Sequence, residues 1–202
     1  MVETHEHQHE QHERHGAGLD TMAVSATLHC LTGCAIGEIA GMLIGTAAGV
    51  GNAVTVPLSI ALAFVFGFTL SSLPLLRAGL DVGAALKVVV AADTLSILTM
   101  EVVDNLVMVL VPGAMDAGLV NVVFWLSMAL SLAVAFAAAF PVNRALLRRG
   151  KGHALTHEYH DGAQEPQGAR RFIPAIPTGS LVAVIAAFLL GGLVVAIADA
   201  LS

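Results

Sequence analysis

Residues 29–49 read HCLTGCAIGEIAGMLIGTAAG, an apolar stretch in which two rows of four-residue spacing lie side by side. On an α-helix such rows are neighbouring ridges of one face. The first row is His29, Gly33, Gly37, Gly41, Gly45 and Gly49, and the second is Cys30, Cys34, Glu38 and Met42. A ridge without side chains lets another helix approach to backbone contact, so the glycines are expected to serve helix packing. The second ridge sets two thiols, a carboxylate and a thioether beside the His29 imidazole. Close packing next to groups that favour metal ions predicts one half of an intramembrane site.

The rest of the chain supports a membrane setting. Its 202 residues are 56% hydrophobic and only 12% charged, with a mean hydropathy of +0.82, well outside the soluble globular range. Five apolar segments, at 22–49, 54–76, 84–111, 119–140 and 178–198, each reach the ~20 residues that cross a bilayer. The expected fold class is all-α, a polytopic helical membrane protein of about five transmembrane helices. Asp20 or Thr21 is expected to cap the first span, and the Pro141 break to end the fourth. Four parts follow: a His/Glu-rich tail at 1–20 expected to be disordered, a four-helix core at 21–142, a basic, histidine-containing loop at 143–177, and a fifth, packing or anchoring helix at 178–202.

Orientation follows from the basic residues. With the N-terminus inside, all nine lysines and arginines fall on the cytoplasmic side, and the connections at 50–53 and 112–118 contain none. The expected topology is N-in, C-out, in the inner (cytoplasmic) membrane. Residues 1–18 lack the basic and apolar regions of a cleavable signal. The net charge of −6 comes with no basic patch interleaved with aromatics, which argues against a nucleic-acid partner. Cys30 and Cys34, four apart on a helix, hold their Cβ atoms about 5–6 Å from each other. A disulfide needs roughly 3.5–4.5 Å, so both are expected to remain thiols.

The same topology gathers eight histidines in the cytoplasm: His5, His7, His9, His12 and His15 in the tail, and His153, His157 and His160 in the 143–177 loop. Imidazoles interleaved with carboxylates suit borderline divalent ions, so these residues are candidate metal collectors. A solubilising tail and a solvated loop are the plain alternatives.

Charges inside a span usually face a bundle interior, a cavity or a partner. Here they are acidic: Glu38 in the first span, and Asp93, Glu101 and Asp104 in the third. The third span repeats the two-row layout, with Asp93, Ile97, Glu101 and Asn105 beside Met100, Asp104 and Met108. At about 1.5 Å per residue, His29 and Asp93 fall roughly 10 Å from the inner boundary, and Glu38, Glu101 and Asp104 near the midplane. A ladder of cation ligands is therefore expected along the contact of the first and third spans: His29, Cys30, Cys34, Glu38, Asp93, Glu101, Asp104 and Asn105. Met42, Met100 and Met108 are additional soft ligands. The ligand set points to a transition-metal ion, Zn, Cu or Fe ahead of Mn. The plain alternative makes the cysteines packing residues and the acids protonated hydrogen-bonding groups.

The motifs HCxxGCxxGE at 29–38, FTLSSLP at 68–74, ADT at 92–94, MEVVDN at 100–105 and FPVNRxLLxxGKGH at 140–153 resemble those of the DUF4396 family of bacterial and archaeal membrane proteins. The resemblance covers about residues 24–153 and implies a compact helical membrane domain. It implies no substrate and no mechanism.

The leading expectation is a transition-metal transporter or permease, favouring efflux, a transporter rather than an enzyme. Its partners would be membrane lipid, the metal ion and further copies of the chain in a homo-oligomer, with the glycine ridge as a suitable contact between copies. A membrane haem or metal redox protein, with His29 and Met100 or Met108 as haem ligands, is one alternative. A metal-binding sensor or assembly subunit without transport is the other.

Overall fold

Backbone polar groups buried in lipid must be satisfied within their own segment, which leaves long apolar runs only the helix. The computed structural model describes residues 3–149 and 168–202, with side chains for 18–149 and 168–202. Among these residues are α1 (Glu3–Ala48), α2 (Asn52–Ala78), α3 (Val82–Leu110), α4 (Val122–Arg148), a short 3₁₀ turn (Gly168–Phe172) and α5 (Thr178–Ala200). Five of the helices are long and apolar enough to cross a membrane, α1 through its part Gly18–Ala48. The protein is thus a multi-pass helical membrane protein.

Three boundaries differ from expectation. The tail, expected to be disordered, continues α1 back to Glu3, since its Glu, Gln, His and Arg residues tolerate a helix and contain no proline. Asp20 and Thr21 consequently lie inside a helix and cap nothing. The fourth span does not stop at the Pro141 break: α4 carries Pro141 internally and runs to Arg148, so the basic segment begins later than residue 143. Proline removes one hydrogen bond, and neighbouring helices make that tolerable within a membrane bundle.

α1 is the central helix, packed on each of the other four. Its glycine ridge meets α2. A Cβ at Gly33 would overlap the backbone of Gly67, one at Gly37 that of Ala63, and one at Gly41 or Gly45 the residues Ser59 and Thr55. The partner of the ridge is therefore neither the third span nor a second copy of the chain. Gly49 does not belong to the ridge. It lies just after α1 with φ +65°, where the turn into α2 needs the left-handed conformation that glycine adopts freely.

Helices α1, α3 and α5 run parallel to one another and antiparallel to α2 and α4. At one end Thr178 donates to Ser25 at 2.9 Å, and at the other the Trp125 ring of α4 sits directly on Gly192 of α5. Trp125 is fixed by its Nε1–H, which donates to the Leu119 carbonyl at 2.7 Å. Arg77, Lys87, Arg144, Arg148 and Arg149 lie at the first end. Arg170 is held there too, above the α2–α3 turn at Gly79. The opposite end consists of the α1–α2 turn and the α3–α4 connection, which contain no basic residue. Large apolar side chains such as Val65, Val102, Leu106 and Val184 are exposed along the helices, as lipid-facing residues should be.

Candidate functional site

The second ridge of α1 continues as Thr27, Cys30, Cys34, Glu38 and Met42, residues three or four apart that share one face. Because α3 runs parallel, its own polar stripe meets that face rung by rung, and α4 closes it from the side. The rungs begin at the basic end, where Arg144 of α4 holds Asp20 of α1 in a salt bridge. One step in, the Asn143 amide donates to the buried Thr27 hydroxyl at 2.9 Å, and that hydroxyl donates to the Ala23 carbonyl at 2.7 Å.

Next, Cys30 is fully buried beside Asp93 and Ser96 of α3 and Ser71 of α2. Neither serine oxygen has a hydrogen-bond partner among the described residues. One rung further, Cys34 faces Glu101, a residue only 2% exposed. Both Glu101 carboxyl oxygens are buried, and the Cys34 thiol is the donor that faces them. Above them Glu38 faces Asp104, with Ser131 of α4 alongside. The Ser131 hydroxyl is within hydrogen-bond reach of the Met128 carbonyl, at 3.0 Å, and of the Asp104 carboxyl. Glu38 Oε1 and Asp104 Oδ1 are also buried without a partner.

The column then opens into a cavity of about 280 Å³. Glu38, Asp104 and Ser131 form its floor, and Asn52 and Asp116 stand among its outer lining residues. From Asp20 to Met42, α1 rises about 33 Å, close to the ~30 Å of a bilayer's hydrocarbon core. Cavity and column together therefore traverse the bundle.

The sequence-derived ladder is recovered in part. Cys30, Cys34, Glu38, Asp93, Glu101 and Asp104 come together as facing groups on successive levels. They do not close into one centre: among the described residues no three histidine, cysteine or acidic side chains form a metal-holding group. The reason is geometric, since successive rungs rise along two parallel helices by one turn each. His29 is off the ladder. It belongs to the glycine ridge, and its Nδ1–H donates to the Ser25 carbonyl at 2.9 Å. Asn105 donates its amide to the Glu101 carbonyl at 2.8 Å and also lines the cavity.

Met42 and Met108 line the cavity and pack against the apolar core that contains Met100 and Met128; Met100 does not line the cavity. The imidazoles of His5, His7, His9, His12 and His15, together with His153, His157 and His160, lie outside the residues whose side chains are described. Sequence reasoning gave no site role to Ser71, Ser96, Asn143 or Ser131, although Ser71 and Asn143 fall within the quoted FTLSSLP and FPVNR motifs and Ser131 repeats Ser127 four residues on.

Fold and column together define a class: a five-helix membrane protein with a buried line of acids and thiols reached from a cavity at one end. The family comparison agrees on the core. Residues 21–152 match the family model described as Domain of unknown function (DUF4396), and the chain belongs to that family. The matched region contains α2, α3, α4 and nearly all of the membrane part of α1, and leaves α5 outside. No curated protein and no solved structure matches the chain.

Proposed function

We propose that the protein is a transition-metal ion permease in which the Cys30–Cys34–Glu38 face of α1 and the Asp93–Glu101–Asp104 face of α3 line the ion's path. The observation that carries this reading is the column of buried carboxyls at Glu38, Glu101 and Asp104, which face the Cys34 thiol, the Ser131 hydroxyl and one another, with no basic side chain beside them among the described residues. A buried carboxylate without a counter-charge costs several kcal/mol. With a protein's whole stability near 5–15 kcal/mol, a bundle would not retain them together for packing alone. A passing cation supplies the missing partner.

The absence of a closed cluster among the described residues suits passage better than storage. Conduction needs binding strong enough to admit an ion and weak or distributed enough to release it. Two-residue rungs one helical turn apart meet that need, whereas a structural zinc site is closed by four ligands. The gathering of Arg77, Lys87, Arg144, Arg148, Arg149 and Arg170 at one end, with no basic residue in the opposite connections, supports an N-in orientation. On that orientation the cavity is the external vestibule and the column leads from the cytoplasm to it, which favours efflux.

The haem alternative draws no support from this geometry. His29 lies on the ridge whose glycines are in backbone contact with α2, away from Met100, which is enclosed in the apolar core. The test is flux of Zn(II), Cu(I), Fe(II) and Mn(II) in vesicles containing the purified protein. Passage of at least one above empty vesicles is expected. Binding of these ions without passage of any would replace the permease with the sensor or assembly reading.

A further inference from the structure

Four of the protein's seven methionines, Met42, Met108, Met115 and Met128, line the cavity at the outer end of the column. They come from α1, α3, the α3–α4 connection and α4, so no local repeat in the sequence brings them together. No histidine or cysteine lines that cavity. Its floor contains Asp104, 5% exposed, whose buried Oδ1 has no hydrogen-bond partner among the described residues.

The Met115 segment is held in place. The Asn52 amide, at the start of α2, donates to the Met115 carbonyl at 3.1 Å and reaches Asp116 Oδ1 at 3.4 Å. That contact ties the α3–α4 connection across the mouth of the cavity to the opposite helical hairpin.

We infer that this cavity is a thioether site selective for a soft monovalent cation, Cu(I) by chemical class, with Ag(I) as its close analogue. Thioether sulfur is uncharged and soft. It ligates Cu(I) well, whereas Zn(II), Mn(II) and Fe(II) favour imidazole and carboxylate. Four thioethers from four segments can surround one ion, and the unpartnered Asp104 oxygen offers a counter-charge at the floor. The inference rests on the permease reading and narrows it, assigning the step that selects the ion at the vestibule.

Methionine is also an adaptable packing residue, and the test separates the two roles. Full-length protein carrying Cys30→Ser and Cys34→Ser contains no cysteine, so every remaining sulfur is a thioether. X-ray absorption at the copper edge of that variant loaded with Cu(I) is expected to show sulfur neighbours. Nitrogen and oxygen neighbours alone would overturn the proposal, whatever any further variant does.

The second measurement is Ag(I) affinity of the Cys30→Ser/Cys34→Ser protein with and without Met42→Leu/Met108→Leu/Met115→Leu/Met128→Leu, whose swaps nearly conserve volume. A loss of at least about tenfold on adding the leucine swaps is expected. Unchanged affinity in the folded leucine variant would refute the site. Flux keeps the two readings apart. Thioether-bound copper with no ion crossing any vesicle would leave the site standing and remove the permease. Zn(II) flux unchanged by the leucine swaps, with no Cu(I)–sulfur signal, would remove the site and leave the permease.

Discussion

Two cysteines and three carboxylates decide how the interior behaves. Cys34 is buried against Glu101, so on the proposed function its thiol lines the ion's path. A cationic methanethiosulfonate applied to folded protein is expected to modify Cys34 faster than an anionic one, and saturating Zn(II) or Ag(I) to slow that reaction. Equal rates for the two reagents, read by mass spectrometry, would mean that the surroundings of Cys34 do not favour cations. Ligation also has a sign with respect to pH. A carboxyl or thiol must give up its proton to bind a metal ion, so uptake releases protons and weakens as pH falls. Thioethers bind without releasing one. Loss of Zn(II) binding on acidification, with Ag(I) binding at the cavity much less affected, is the expected pattern in parallel titrations from neutral to acidic pH.

At the scale of elements, the glycine ridge and the tryptophan decide which helices touch. Gly37→Ala would push a methyl group into the Ala63 backbone and force α1 and α2 apart. Overpacking of this kind typically costs about 1–3 kcal/mol, so its thermal midpoint should fall clearly. Gly51→Ala meets nothing within 4 Å and has an ordinary φ of −79°, so its midpoint should stay near wild type. Trp125, the protein's one tryptophan, makes its fluorescence a direct report of α5 docking. Gly192→Ala should shift its emission. An unchanged spectrum would mean that the Gly192 seat is not what holds α5.

The same elements show what sequence can disclose. The five spans are legible because each is a long apolar run, and the acids stand out against lipid. Their pairing with Cys30, Cys34 and Glu38 follows from two parallel helices with matching periodicity. The partner of the glycine ridge is not legible, since a smooth ridge accepts any small-residue face; Gly67, Ala63 and Ser59 become its match only once α2 folds back. Met115 and Met128 escape notice for the same reason. Nothing near them in the sequence points to Met42, and only the α3–α4 connection lying over the cavity brings them to it. Pro141 misleads because local chemistry marks a break that the surrounding helices override.

The whole molecule is polarised, with basic side chains gathered at one end and the methionine-lined cavity at the other. Between them the acids and thiols stand one turn apart through the depth of the bundle, and α1 at the centre packs on α2 with one ridge and turns Cys30, Cys34 and Glu38 toward α3 with the next. The most direct test of this account is metal flux into vesicles containing wild-type protein or Glu101→Gln, with Ag(I) and Zn(II) measured side by side. The substitution keeps the shape of the side chain and removes its charge at the middle rung. The account predicts flux of at least one ion through wild type and a decrease of about tenfold or more in the folded variant. Flux through Glu101→Gln equal to wild type would contradict it.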